Sequence, residues 1–246
     1  MKKLLLCAVS VIALISCGPA PSNKTETQPS VVVKQEKNWW GDSATDVIPG
    51  QLLLAKNIEV IEDGSGSMMD IQCSGSYRKY EAVSRAMDSF LKVVPSEYNL
   101  GFLDFTNDTI HDLVPLGIGN RGLISTEVKK IVPAGSTPLG QSIAVAVDRL
   151  KKQASKQFGY GEYIVLVLTD GEANDNDGKY KIEYVVDNVL RTTPIKIYTI
   201  GFCIGDGHSL NKRGYTYYYD IHDLNELSQA LNSVILAERV IKTQWE

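Results

Sequence analysis

Histidine and cysteine are scarce in this chain, with three and four copies among 246 residues. His111, His208 and His222 show no metal-ligand spacing relative to one another, so a histidine-held zinc site is not indicated. The sequence lacks a G-x-S-x-G elbow, and no histidine and acid are arranged as a triad for Ser65. Its loop Gly64-Ser65-Gly66-Ser67 is without the lysine and hydroxyl that complete a phosphate loop. These absences argue against an enzyme, since a metal hydrolase needs stronger anionic or histidine ligation than is on offer. Positive charge is in deficit too, at a formal −4, which gives no electrostatic footprint for nucleic acid. No internal repeat is visible. The apolar stretch Leu4 to Ile15 is too short to span a bilayer comfortably.

What is present begins with MKKLLLCAVSVIALISCG. Lys2 and Lys3 form a positive region ahead of the apolar stretch, the pattern of an export signal. The stretch ends in Leu14-Ile15-Ser16-Cys17 before Gly18, which resembles the lipobox of bacterial lipoproteins. That resemblance implies removal of residues 1–16 and lipid on Cys17. The protein would then lie in a bacterial cell envelope, periplasmic or surface-exposed, with its lipid anchor in a bilayer. Residues 18–38 are rich in Pro, Ser, Thr, Gln and Lys and cannot bury enough surface to offset their ordering entropy, so they read as a tether. The lipidated cysteine and tether are assigned to 17–48, a single domain to 49–241 and a short tail to 242–246. Trp39 and Trp40 are expected to pack on the domain rather than on a membrane or a partner.

From about residue 50 strand-like and helix-like segments alternate. Ile58 to Ile61 is a short strand. Tyr77 to Val94 places Tyr80, Val83, Met87, Phe90 and Val94 on one helical stripe. Leu100–Phe105 and Thr109–Leu116 form a hairpin through Thr106-Asn107-Asp108. A short helix is expected over Ser125–Val132, and another on the face of Leu139, Ile143 and Leu150. Tyr163 to Leu168 is continuously apolar, as suits a strand covered on both faces. Helix Ile182–Leu190, strand Ile195–Phe202, strand Tyr215–Tyr219 and a last helix capped by Asp223 complete the pattern. The fold class is α/β: a doubly wound, mainly parallel sheet with one antiparallel edge strand and helices on both faces.

Ligands of doubly wound folds bind at the carboxyl ends of the strands. Three loops fall there, each with an oxygen side chain beside a glycine: Asp63-Gly-Ser65-Gly-Ser67, Gly135-Ser136-Thr137 and Thr169-Asp170-Gly171. Converging hard oxygens suit Mg²⁺ or Mn²⁺. These motifs, in this order, resemble the von Willebrand factor type A domain over about residues 50–241. The resemblance implies a metal-ion-dependent adhesion site of Asp63, Ser65, Ser67, Thr137 and Asp170. In that family the hydroxyls hold the ion directly and the aspartates usually act through water, while one open position accepts a carboxylate from a protein partner. Neutral hydroxyls leave the ion net positive, so that it still attracts an acidic ligand. The implied function is metal-dependent protein capture, with a structural subunit of an envelope complex as the alternative.

Two residues depart from the pattern. Glu59 and Glu62 lie in or beside a strand that should be buried and apolar. Glu62 either adds charge near the ion, favouring Ca²⁺, or points to solvent at a frayed strand end, which is the expectation. Glu172 reads as a rim residue and Asn174–Gly178 as a solvated loop. Cys73 and Cys203 should lie near the same edge of the sheet, and a disulfide bracing the rim of the site is expected, with two buried free thiols as the alternative.

Overall fold

The computed structural model describes residues 38–41, 50–174 and 178–240. The expected signal, Cys17, most of the tether, the tail, and Asp175 to Asp177 of the acidic loop lie outside them. Among the described residues the elements are α1 (Gly50–Leu53), β1 (Lys56–Asp63), α2 (Lys79–Val93), β2 (Asn99–Thr106), β3 (Thr109–Gly117) and α3 (Arg121–Glu127). They continue with α4 (Leu139–Lys156), β4 (Glu162–Thr169), α5 (Ile182–Thr192), β5 (Lys196–Phe202), β6 (Tyr217–Ile221) and α6 (Leu224–Val240).

The strands form one sheet in the order β3-β2-β1-β4-β5-β6. All neighbours are parallel except β2 and β3, which pair antiparallel at one edge. Asn107 and Asp108, at φ 49° and 61°, make their two-residue turn, and such positive φ values suit the twist of a tight hairpin. Strand alternation sends Ile58, Val60, Leu100 and Leu166 to one face, where α2, α3 and α6 close the core. Ile61, Val165 and Val167 go to the other face, under α4 and α5.

Two elements differ most from expectation, and β6 runs two residues later than expected, at Tyr217–Ile221. β1 is twice the expected strand because the polar residues flanking Ile58–Ile61 are buried with it, and at its start Asn57 is partnered: it donates to Gln157 Oε1 at 2.8 Å and to the Ala55 and Glu162 carbonyls. The short helix begins at Arg121 rather than Ser125, since Ile124 and Val128 set its buried spacing and Asn120 ties its start to the Leu100 and Pro115 carbonyls. Asp223 caps α6 by accepting the Asn225 and Glu226 N–H groups at 2.7 and 2.8 Å. Trp39 packs edge-on against Tyr163, ring centroids 5.1 Å apart, and Trp40 covers Gly159. Both contacts lie at the amino ends of the parallel strands.

Candidate metal centre

β1 and β4 are neighbours at the centre of the sheet, and the chain leaves them in opposite directions, from β1 to β2 and from β4 to β5. A crevice opens at such a switch point, at the carboxyl ends of the strands. The loops that meet there are stitched through their backbones. Gly66 donates to the Gly135 carbonyl at 3.1 Å, Ala134 to Gly64 at 2.8 Å, and Asn107 to Ala134 at 2.8 Å. Two glycines permit this. A Cβ on Gly64 would stand 2.5 Å from the Phe105 carbonyl oxygen, and Gly135 has φ +86°.

Within the crevice both aspartates are fully engaged. Asp63 Oδ1 accepts the Ser65 N–H at 2.8 Å, and Oδ2 accepts the Thr169 hydroxyl at 2.6 Å. Asp170 Oδ1 accepts the Ser67 hydroxyl at 2.7 Å, and Oδ2 accepts the Lys79 ammonium at 2.6 Å. The Ser65 and Ser67 hydroxyl oxygens are 3.1 Å apart. Asp63, Ser65 and Asp170 are buried, Ser67 is exposed, and the pocket therefore has a closed floor and an open lip. Burial pushes the Asp63 carboxyl above its ordinary range, against the pull of its bonds from Ser65 and Thr169. Thr137 stands on the adjoining loop, fixed by Asn174: its N–H donates to Asn174 Oδ1 at 3.0 Å, and its carbonyl accepts the Asn174 N–H at 2.9 Å.

The structure thus links Asp63, Ser65, Ser67 and Asp170 and places Thr137 on the loop stitched to theirs. No cluster of three or more His, Cys, Asp or Glu able to hold a metal occurs among the described residues. The donor set is two carboxylates and three hydroxyls, which fits a hard divalent cation. Ser67 spends its proton on Asp170, so in the bond with Ser65 it accepts, and one lone pair remains available at the open lip.

Glu62 is not at a frayed end. It is fully buried, opposite Asp104 in β2 and Leu168 in β4, because β1 stays paired on both sides to its last residues. Neither of its carboxyl oxygens has a hydrogen-bond partner. Burial, and then the nearby Asp104 and Asp63, push it well above the usual carboxylate range. Glu59 is buried too, but Arg149 of α4 reaches its Oε1 at 2.8 Å, and burial still lifts its carboxyl to about 8. Glu172 is exposed and accepts from the Ser209 N–H and hydroxyl.

Cys73, on the β1–α2 loop, and Cys203, just past β5, are joined as a disulfide with their Cα atoms 6.0 Å apart. The parts played by Lys79 and Thr169 escaped the sequence reading. Lys79 had a legible signal, a cation in register with the buried stripe of Ala82, Val83 and Ala86. Thr169 was read as part of the Thr169-Asp170-Gly171 loop, but nothing local marks its hydroxyl as the partner of Asp63.

Residues 57–233 match the profile of the von Willebrand factor type A domain. YwmD of Bacillus subtilis is 27% identical over 132 residues, which cover 47% of this chain, and the match spans about half, 55%, of that relative. Among solved structures, the von Willebrand factor domain of the type V pili tip protein Mfa5 from Porphyromonas gingivalis superposes at TM-score 0.59 and 9% identity. That match covers 76% of this chain and 96% of the other. Manganese-loaded TRAP protein from Plasmodium vivax gives TM-score 0.55 and 18% identity over 74% of each chain. Proximal thread matrix protein 1 from the mussel byssus, with a zinc-occupied adhesion motif, gives 0.56 and 20% over 76% of this chain and 46% of that one. These structures share the fold.

Proposed function

This chain belongs to the von Willebrand factor type A family, and on that footing we propose that it captures a protein partner through a divalent ion. The observation that carries the reading is the hydrogen-bonded run Ser65, Ser67 and Asp170 across the β1–β4 crevice, with Asp63 held beneath it. Ser65, Ser67 and Thr137 would supply hydroxyl oxygens to the ion, and Asp63 and Asp170 the negative charge. When bound, Mg²⁺ or Mn²⁺ supplies a positive centre at the open lip for an Asp or Glu carboxylate of the partner. The chain's own residues hold two carboxylates ready and keep one hydroxyl exposed. Among the described residues the crevice hydroxyls bond to carboxylates and to one another and not to a histidine base, which supports a binding site. The manganese-loaded and zinc-occupied relatives support a divalent ion without selecting which one.

We further propose that the domain is exported and lipid-anchored at Cys17. The lipobox-like sequence supports this. Trp39 and Trp40 pack at the amino ends of the strands, the end of the sheet opposite the metal loops.

The test is thermal unfolding of the EDTA-stripped protein with and without added Mg²⁺ or Mn²⁺. Metal at a hundredfold its dissociation constant adds about 2.7 kcal/mol to the folded state. For a domain of this size the midpoint should rise by roughly 5–10 °C. An unchanged midpoint up to millimolar metal would count against the reading and favour a structural subunit.

A further inference from the structure

We propose that Lys79 is a built-in cation that weakens metal binding at this site and, once metal is held, strengthens its pull on an acidic ligand. The inference rests on the metal-dependent reading above. Lys79 is the first residue of α2, and its N–H is anchored to the Asp70 carbonyl at 3.0 Å. Its side chain runs inward on the same stripe as Ala82 and Val83, and its ammonium ends 2.6 Å from Asp170 Oδ2. Only 7% of the lysine side chain and none of the aspartate side chain is exposed.

A buried ammonium is tolerable only beside its counter-ion, so this pair acts as one unit. Two carboxylates and one ammonium leave the pocket a net charge of about −1, where the carboxylates alone would give about −2. An entering divalent ion then finds one uncompensated carboxylate, and it approaches a cation already bonded to Asp170. Both effects oppose it. With the ion in place the centre is net positive, where without Lys79 it would be neutral. The lysine therefore trades affinity for metal against affinity for the incoming carboxylate. A lysine suits that role because its charge is a compact point at a fixed end.

The experiment is calorimetric titration of Mn²⁺ into the EDTA-stripped full chain at pH 7.5, comparing wild type, Lys79→Met and Lys79→Arg. Lys79→Met should bind Mn²⁺ tighter by about tenfold or more, and Lys79→Arg should stay within about threefold of wild type. Binding by Lys79→Met where wild type shows none also supports the proposal. Equal or weaker binding by Lys79→Met, with wild type binding, overturns it and leaves the metal reading standing. Tightening by Lys79→Arg as large as that by Lys79→Met overturns it as well. No binding by any of the three overturns both. Should Lys79→Met fail to fold without metal, Lys79→Gln carries the same expectation, because it keeps a neutral donor for Asp170. At saturating Mn²⁺, acetate followed by water-proton relaxation should bind wild type several-fold better than Lys79→Met. Equal acetate affinity overturns the second half of the proposal.

Discussion

Glu62 and Asp63 are consecutive residues of one strand, both fully buried and both carboxylic acids, yet their surroundings are opposite. Alternation along β1 turns them to opposite sides. Asp63 has a donor on each oxygen, from Ser65 and Thr169. Glu62 has none on either. The contrast separates two uses of a buried acid. Asp63 is held in place, with its negative charge oriented into a crevice that opens to solvent at Ser67. Glu62 carries the desolvation cost of burial without compensation, and its proton stays on to a much higher pH. A charge that is partnered can serve a ligand, whereas an unpartnered one only subtracts from stability.

Substitutions at each member sharpen the contrast, and the largest effect is expected at Asp63. Asp63→Ala should abolish the metal-induced gain, about 2.7 kcal/mol at a hundredfold the dissociation constant, in urea unfolding with and without Mg²⁺. Retention of the gain would break the assignment. Glu62→Met, close in volume and without a polar group, should stabilise the metal-free protein by about 1–3 kcal/mol at pH 8 by urea midpoint. A loss of stability there would mean that Glu62 has a role the contrast denies it.

Next comes pH. Glu59, lifted to about 8, and Glu62, lifted well above its ordinary value, bind their protons more tightly in the folded than in the unfolded chain. Their contribution is complete below about 4.5; that of Glu59 is lost as pH rises through about 8, and that of Glu62 also falls as pH rises above 4.5. Urea midpoints should therefore fall over that interval, and the slope should flatten in Glu62→Met. The smallest effect belongs to Thr169→Val, which removes one bond to Asp63. It should cost about 1 kcal/mol and leave metal binding measurable.

How much of this was legible in the sequence follows from the range of the interactions. Continuous apolar runs such as Tyr163 to Leu168 and the stripes of α2 and α4 are local patterns, and they gave the α/β alternation directly. The site residues were legible because glycine and oxygen side chains recur at fixed offsets after strands. Glu62 was misread because nothing local distinguishes a strand's last buried position from its first exposed one. That depends on β2 and β4 remaining paired with β1 beyond it, which is a long-range fact. The start of α3 was missed because Gly122 interrupts its first turn, where the anchoring comes from Asn120 to distant carbonyls. Lys79 shows in the sequence only its place on the buried stripe of α2, since its partner Asp170 lies 91 residues away.

The disulfide has a mechanical consequence. A pull applied at the metal loops and resisted at the Trp39–Trp40 end would run along the strand axes. It would stretch the hydrogen bonds between β1 and its neighbours in shear, many at once, instead of unzipping them one by one. Cys73 sits on the loop that follows Ser67, and its covalent link to Cys203 passes part of that tension straight into the end of β5. Force applied at one loop is then divided between two strands on either side of β4, so the metal loops can bear more than β1 alone would.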